Sequence, residues 1–256
     1  MDKVTSNDGT TIAYERHGAG PALVAVDAAM NGGDHRPLPA PVSQLAEHFT
    51  VYVYDRRGRG GSGDTAPYAV EREVEDLAAV IEAAGGSAYV YGMSSGSLLA
   101  LHAAARRLPI TKLALFEPPI EPREELTGES AFTVAMTALV SAGRRREAVE
   151  FLLREIGVPA DLVASMPPES WAGQEALVHT MLYDCAISDG TTLPMIRSVR
   201  VPTLLLASEA SGSELGGMAE LVAKELPNAT FRSVAGKWHG PSPDAMVAAL
   251  REFFLS

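Results

Sequence analysis

Cysteine is nearly absent: Cys185 is the one thiol among 256 residues. No intrachain disulfide can form, and a reducing compartment is the natural expectation. Nothing around the thiol suggests nucleophilic chemistry, so it reads as a small buried side chain. Long apolar runs are missing too. None approaches the roughly 20 residues needed to cross a bilayer, and the Met1-Asp2-Lys3 start has no apolar leader segment. A cytoplasmic protein without a membrane partner is expected. Positive charge is outnumbered, with 21 Lys and Arg against 32 Asp and Glu and a net charge of -11. That balance repels phosphate backbones and excludes nucleic acid as an expected partner. No residue cluster has metal-ligand spacing, so neither metal nor cofactor is expected. Oligomeric state has no readable signature.

What is present alternates short apolar runs with helical patterns, the signature of a mostly parallel sheet covered by helices. The strand candidates are 3–6, 11–16, 22–27, 51–55, 88–91, 112–116, 203–207 and 230–234. The first two are joined by the turn signal Asn7-Asp8-Gly9 and are expected to be antiparallel. Val70, Val74, Leu77, Ile81 and Ala84 keep helical spacing up to Gly85-Gly86. A second helix is expected over 97–108, and a last one carries the stripe Met246, Val247, Leu250, Phe253 and Phe254. Between about 120 and 197 the alternation stops. That stretch predicts helices over 131–142, 144–156, 160–166 and 171–183, divided by Pro159, Pro167 and Pro168.

The central motif is Gly92-Met93-Ser94-Ser95-Gly96, set between a strand and a helix. Alone, G-x-S-x-G is a weak signal; in this context it describes a turn tight enough to strain its serine. Small residues two before and two after make such a turn sterically possible. It presents the Ser94 hydroxyl as a nucleophile and places the Ser95 N–H, at a helix N-terminus, where an oxyanion would form.

With this elbow in place, the chain resembles the α/β-hydrolase fold family over essentially its whole length. Asp55-Arg56-Arg57-Gly58-Arg59-Gly60-Gly61-Ser62 resembles that family's D-x-R-G-x-G-x-S loop after the fourth strand. The resemblance implies an eight-stranded, mostly parallel sheet flanked by helices. Residues 1–119 and 198–256 would form the core, and 120–197 a helical cap inserted after the sixth strand. Gly58, Gly60 and Gly63 also satisfy G-x-G-x-x-G, with Glu82 near the distance of a ribose-binding acid. A dinucleotide site needs the helix to open at the third glycine. Here Asp64-Thr65-Ala66-Pro67 intervenes, so the match is coincidental. Arg56, Arg57 and Arg59 read as solvated or salt-bridged loop residues.

Six histidines compete for the role of base: His17, His35, His48, His102, His179 and His239. His239 follows the last strand, where the resemblance places the catalytic histidine, on a loop able to reach the elbow. His102 reads as a packed or surface side chain and His179 as part of the helical insertion. Relatives commonly carry the acid after the seventh strand, but there the alignment reaches Ser211, which holds no charge. Glu117, directly after the sixth strand, is the leading substitute, and Pro118 predicts an extended backbone for it. Glu209, Glu214, Asp184 and Asp189 remain open, as does a Ser–His dyad. Relatives also show His-Gly after the third strand, where this chain has Asp27-Ala28. Ala28 or Ala29 N–H groups complete the oxyanion hole in this reading, with Asp27 structural.

The resulting expectation is a serine hydrolase that cleaves a small carboxylic ester through an acyl-enzyme. Ser94, His239 and Glu117 form the triad, and Ser95, Ala28 and Ala29 the oxyanion hole. Met30, Met93 and Trp238 are substrate contacts, and Phe132, Met136 and Met181 are further candidates. A thioesterase, a C–C bond hydrolase and a non-catalytic ligand-binding relative are the alternatives. Dehalogenase and epoxide-hydrolase chemistry requires a carboxylate where Ser94 stands.

Overall fold

A computed structural model describes residues 1–32, 40–125 and 128–256. Eight strands form one sheet: β1 (Asp2–Thr5), β2 (Thr11–His17), β3 (Ala22–Val26), β4 (Thr50–Tyr54), β5 (Ala88–Met93), β6 (Ile110–Phe116), β7 (Thr203–Ser208) and β8 (Ala229–Val234). Their spatial order is β1-β2-β4-β3-β5-β6-β7-β8. β1 pairs antiparallel with β2, β2 antiparallel with β4, and every later neighbour is parallel. Each strand candidate of the sequence is found within two residues of its expected ends.

Strand periodicity explains the two-sided core. Val24, Val90, Leu113, Leu115 and Leu205 face one layer of helices, among them α2 (Val70–Ala83) and α3 (Ser95–Ala105). Their sequence neighbours Leu23, Tyr91, Ala114, Phe116, Leu204 and Leu206 face the other, built from α1 (Ala40–Leu45) and α11 (Pro243–Leu255). Because both faces are covered there, the inner parallel strands read as largely continuous apolar runs, unlike the exposed edge strand β8.

Between β6 and β7 the chain runs through α4 (Ala131–Ser141), α5 (Arg145–Glu155), α6 (Ala160–Ala164), α7 (Pro168–Leu177), α8 (Met181–Asp189) and α9 (Leu193–Ser198). The helix expected over 171–183 is in fact divided. Pro168 starts α7 three residues earlier, and a 3-10 turn over Val178–Thr180 separates it from α8. Helix α10 (Gly212–Glu225) has no counterpart in the sequence reading. Its glycines, Gly212, Gly216 and Gly217, weaken the pattern by which helices are recognised. Met136, Val149, Leu152, Trp171, Met181 and Cys185 form a third apolar cluster, against which Ala29 and Met30 also pack. Burial pushes the Cys185 thiol up to about 12, in keeping with a structural role. Among the described residues, no helix is long and apolar enough to cross a membrane.

The glycine-rich loop after β4 closes on itself, with the Gly58 N–H donating to the Gly63 carbonyl at 2.9 Å. Helix α2 opens only at Val70. No helix N-terminus meets the third glycine, so the dinucleotide pattern is indeed coincidental.

Candidate active site

The elbow is strained where the sequence predicts. Ser94 joins β5 to α3 at φ 52°, ψ -125°. A Cβ on Gly92 would lie 2.7 Å from Ser97 Cα, and one on Gly96 would lie 2.3 Å from the Val26 carbonyl oxygen. Only glycine therefore lets the turn close and α3 lean on the end of β3. The Ser94 N–H donates to the Phe116 carbonyl at 2.8 Å, which sets the elbow beside the end of β6.

Glu117 is the next residue, fully buried. Its Oε1 accepts the Ser208 N–H at 2.7 Å, and its Oε2 lies 2.5 Å from His239 Nδ1. Where the carboxylate oxygen accepts, Nδ1 donates and Nε2 is left with a lone pair. The extended backbone expected for Glu117 is not observed: its φ is 46°. Its N–H still caps the strand ladder by donating to the Leu206 carbonyl at 2.9 Å. That bond, with those of both carboxylate oxygens, outweighs the preference imposed by Pro118.

His239 occupies the tip of a short hairpin between β9 (Gly236–Lys237) and β10 (Gly240–Pro241), with φ 46°. Two serines hold it there. Ser211 Oγ accepts the His239 N–H at 2.9 Å, and Ser208 Oγ donates to the Lys237 carbonyl at 2.6 Å. Ser211, where relatives carry an acid, thus fixes the histidine's backbone instead of its ring. Ser208 had no sequence signal beyond its place at the strand end. Five non-glycine residues among those described have positive φ, and Ser94, Glu117, His239 and Met30 are four of them. Such strain concentrates where tertiary structure enforces a working geometry. The His239 hydrogen bonds run to Ser211 and Glu117, and none reaches Ser94; such contacts often tighten only with substrate bound.

In the loop after β3, the Ala28 N–H donates to Asp27 Oδ1 at 2.8 Å, and Asn31 Nδ2 donates to the same oxygen at 2.9 Å. Asp27 is structural, as expected. The Ala29 N–H has no acceptor among the described residues, and the Ser95 N–H opens α3, where helix amides lack internal partners. Met30 and Met93 are half-buried, and the Trp238 ring lies 5.6 Å from that of His239. Met136 and Met181 are core residues of the helical cluster, and Phe132 stacks on Phe151 at 5.2 Å.

The other acids are elsewhere engaged. Glu209 and Glu214 are exposed, and Asp189 accepts the Ser130 N–H. Asp184 bridges Arg56 and Arg59 at 2.7 Å each. Burial pushes its carboxyl up, but the two guanidinium charges outweigh burial and hold it below the usual range. The three loop arginines are salt-bridged, yet none is solvated: Arg57 pairs with Asp76 and Asp8, and Arg56 with Glu73. Enough carboxylates converge on the loop to permit that burial.

Among the remaining histidines, His17 lies 3.2 Å from Glu15, His48 Nε2 is 3.4 Å from Arg251, and His179 Nδ1 is 3.2 Å from the Ala176 carbonyl. His35 lies outside the described residues. His102 is buried against the Ile187 carbonyl at 3.1 Å. Burial depresses its pKa from 6.5 to about 4, with the nearby Arg106 charge adding to the effect. Below 6.5 the unfolded chain therefore binds a proton that the folded protein refuses, and stability falls as pH drops through this window. The expected loss between pH 7 and 4 is about 3 kcal/mol from this group. Urea unfolding at both pH values, compared with His102→Gln, measures it; identical slopes in the two proteins would count against a buried neutral imidazole.

A serine on a strained turn and an imidazole held by a carboxylate lie at the carboxyl ends of a largely parallel α/β sheet, an arrangement suited to hydrolytic chemistry. The alpha/beta hydrolase family model matches residues 17–251, and the chain belongs to that family. Over 100 residues it is 41% identical to the pimeloyl-[acyl-carrier protein] methyl ester esterase of Xanthomonas campestris pv. campestris. That match covers 38% of this chain and 37% of the esterase. An alpha/beta hydrolase from Sphaerobacter thermophilus is 45% identical with a TM-score of 0.88, covering 99% of this chain and 100% of that one. The enol-lactonase from Burkholderia xenovorans superposes over 100% of both chains with a TM-score of 0.76 at 20% identity, a likeness of fold.

Proposed function

We propose that the protein is a serine hydrolase of small carboxylic esters. The observation carrying this reading is the buried Glu117 carboxylate, at the strand end beside the elbow, held against the half-buried His239 ring. In the reaction, Ser94 Oγ attacks the ester carbonyl carbon while its proton passes to His239 Nε2. The carbonyl π pair becomes an oxyanion that accepts from the Ser95 and Ala29 N–H groups. Because Asp27 occupies the Ala28 N–H, Ala29 is the donor assigned to this loop. Collapse expels the alcohol, protonated by His239, and a water activated by the same imidazole releases the acid. The esterase similarity favours oxygen esters over thioesters or C–C bonds. A carboxylate paired with His239 weighs against a non-catalytic binding role.

Residues 120–197 serve as the cap in this proposal, with 1–119 and 198–256 as the catalytic core. The cap's own apolar cluster packs against Ala29 and Met30, beside the hole. Met30, Met93 and Trp238 line the substrate space between the two parts. The test is labelling by a fluorophosphonate followed by peptide mass analysis. One adduct is expected, on Ser94; an active protein modified on another side chain would overturn the assignment.

A further inference from the structure

The D-x-R-G-x-G-x-S loop leaves three positions unspecified, and in this chain two of them are arginine and the third is Gly61. Arg57 fills the motif's own arginine position and pairs with Asp76, away from the elbow. Arg56 and Arg59 fill the first two open positions, both buried, and both grip Asp184 of α8. Besides its paired bonds to Glu73, Arg56 reaches one residue assigned to the oxyanion hole, and Arg59 reaches the peptide that carries the other hole donor. Arg56 Nη1 lies 3.4 Å from Ser95 Oγ. Arg59 Nη1 donates to the Ala28 carbonyl at 2.6 Å, while Arg59 Nη2 holds Asp184 at 2.7 Å.

The Ala28 carbonyl and the Ala29 N–H belong to one planar trans peptide and point in opposite directions. Whatever fixes the carbonyl therefore aims the amide. We propose that Arg59 is a positioning residue of the oxyanion hole, gripping the Ala28 carbonyl so that the Ala29 N–H faces the developing oxyanion. Asp184 holds the other arm of the guanidinium fork, so a helix of the β6–β7 insertion braces the same peptide. A charge-assisted bond to the carbonyl also polarises the peptide and strengthens its N–H as a donor. The inference rests on the proposed role of Ser94, and its test separates the two.

The experiment compares full-length wild type, Arg59→Gln, Arg59→Lys and Asp76→Asn on two probes: p-nitrophenyl butyrate turnover and inhibition by an aliphatic trifluoromethyl ketone. On the ketone, Ser94 Oγ adds to the carbonyl carbon, its proton moves to His239, and the π pair becomes an alkoxide in the hole. Arg59→Gln is expected to lower kcat by about 10- to 100-fold with KM little changed, less than outright loss of a hole donor. The ketone's Ki should rise by the same factor. Lysine reaches the carbonyl or Asp184 but not both, so Arg59→Lys recovers part of each loss. Asp76→Asn breaks the neighbouring buried pair and lowers Tm while kcat holds, which separates aiming from general destabilisation. A folded Arg59→Gln with wild-type kcat, or a kcat loss without a change in Ki, overturns the proposal. If Arg59→Gln does not fold, Arg59→Lys decides by the same Ki criterion. A wild type that neither turns over the ester nor takes up fluorophosphonate overturns the Ser94 reading, and this inference with it.

Discussion

Replacing Ser94 with alanine is expected to lower turnover of a short p-nitrophenyl ester by on the order of 10⁴- to 10⁶-fold. The loss is large because the acyl-enzyme cannot form; only the oxyanion donors and bound water remain to accelerate hydrolysis. The change should leave the fold intact. The strained turn is imposed by Gly92, Gly96 and the Phe116 carbonyl, none of which depends on the hydroxyl, so Tm should move little. Steady-state kinetics beside a thermal melt checks both halves. A variant retaining a tenth of wild-type kcat would remove Ser94 from the nucleophile's role.

Glu117→Gln is the second large effect, with an expected loss of about 10⁴-fold in kcat and little change in KM. The side chains are nearly isosteric, and the glutamine carbonyl can still accept the Ser208 N–H. Its NH2 then faces His239 Nδ1, which must become an acceptor. The ring proton moves to Nε2, and the lone pair that takes the serine proton disappears. Glu209→Gln and Glu214→Gln, both at exposed positions, should stay within about twofold of wild type. Comparable losses in all three variants would show that Glu117 is not the special acid. The same tautomer argument predicts that Glu117→Gln keeps its ability to bind ester while losing its ability to cleave it, a split that single-turnover kinetics resolves.

Much of the architecture is legible in the sequence. Most strands are legible as short apolar or β-branched runs bounded by turn residues, and the inner parallel strands β3, β5, β6 and β7 are largely buried. The elbow was legible for a different reason: two glycines at fixed offsets are what a tight strand–turn–helix requires, so the steric demand is written locally. Helix α10 is not legible, since its glycines and Ser213 disguise a helix stabilised by packing Ala219 and Val222. The break between α7 and α8 was likewise hidden, because helical spacing continues through the 3-10 turn.

The site divides along the same line. Local sequence determined the Ser94 bend, and the order of elements determined that His239 lies past the last strand of the sheet. Glu117 could be nominated but not separated from Glu209, Glu214, Asp184 or Asp189, because a carboxylate's role depends on what faces it. Tertiary structure sets one of them, Glu117, against the His239 ring. The ends of β6 and β7 set Glu117 between the Ser208 amide and the His239 ring, at a positive φ that the following proline argued against. It also turned Ser211 from a missing acid into a support for the histidine backbone, and drew Arg56 and Arg59 inward onto Asp184, more than 120 residues away in the chain. A turn is set by neighbours a few bonds apart, whereas a hydrogen bond between distant residues exists only once the sheet has placed their strand ends side by side.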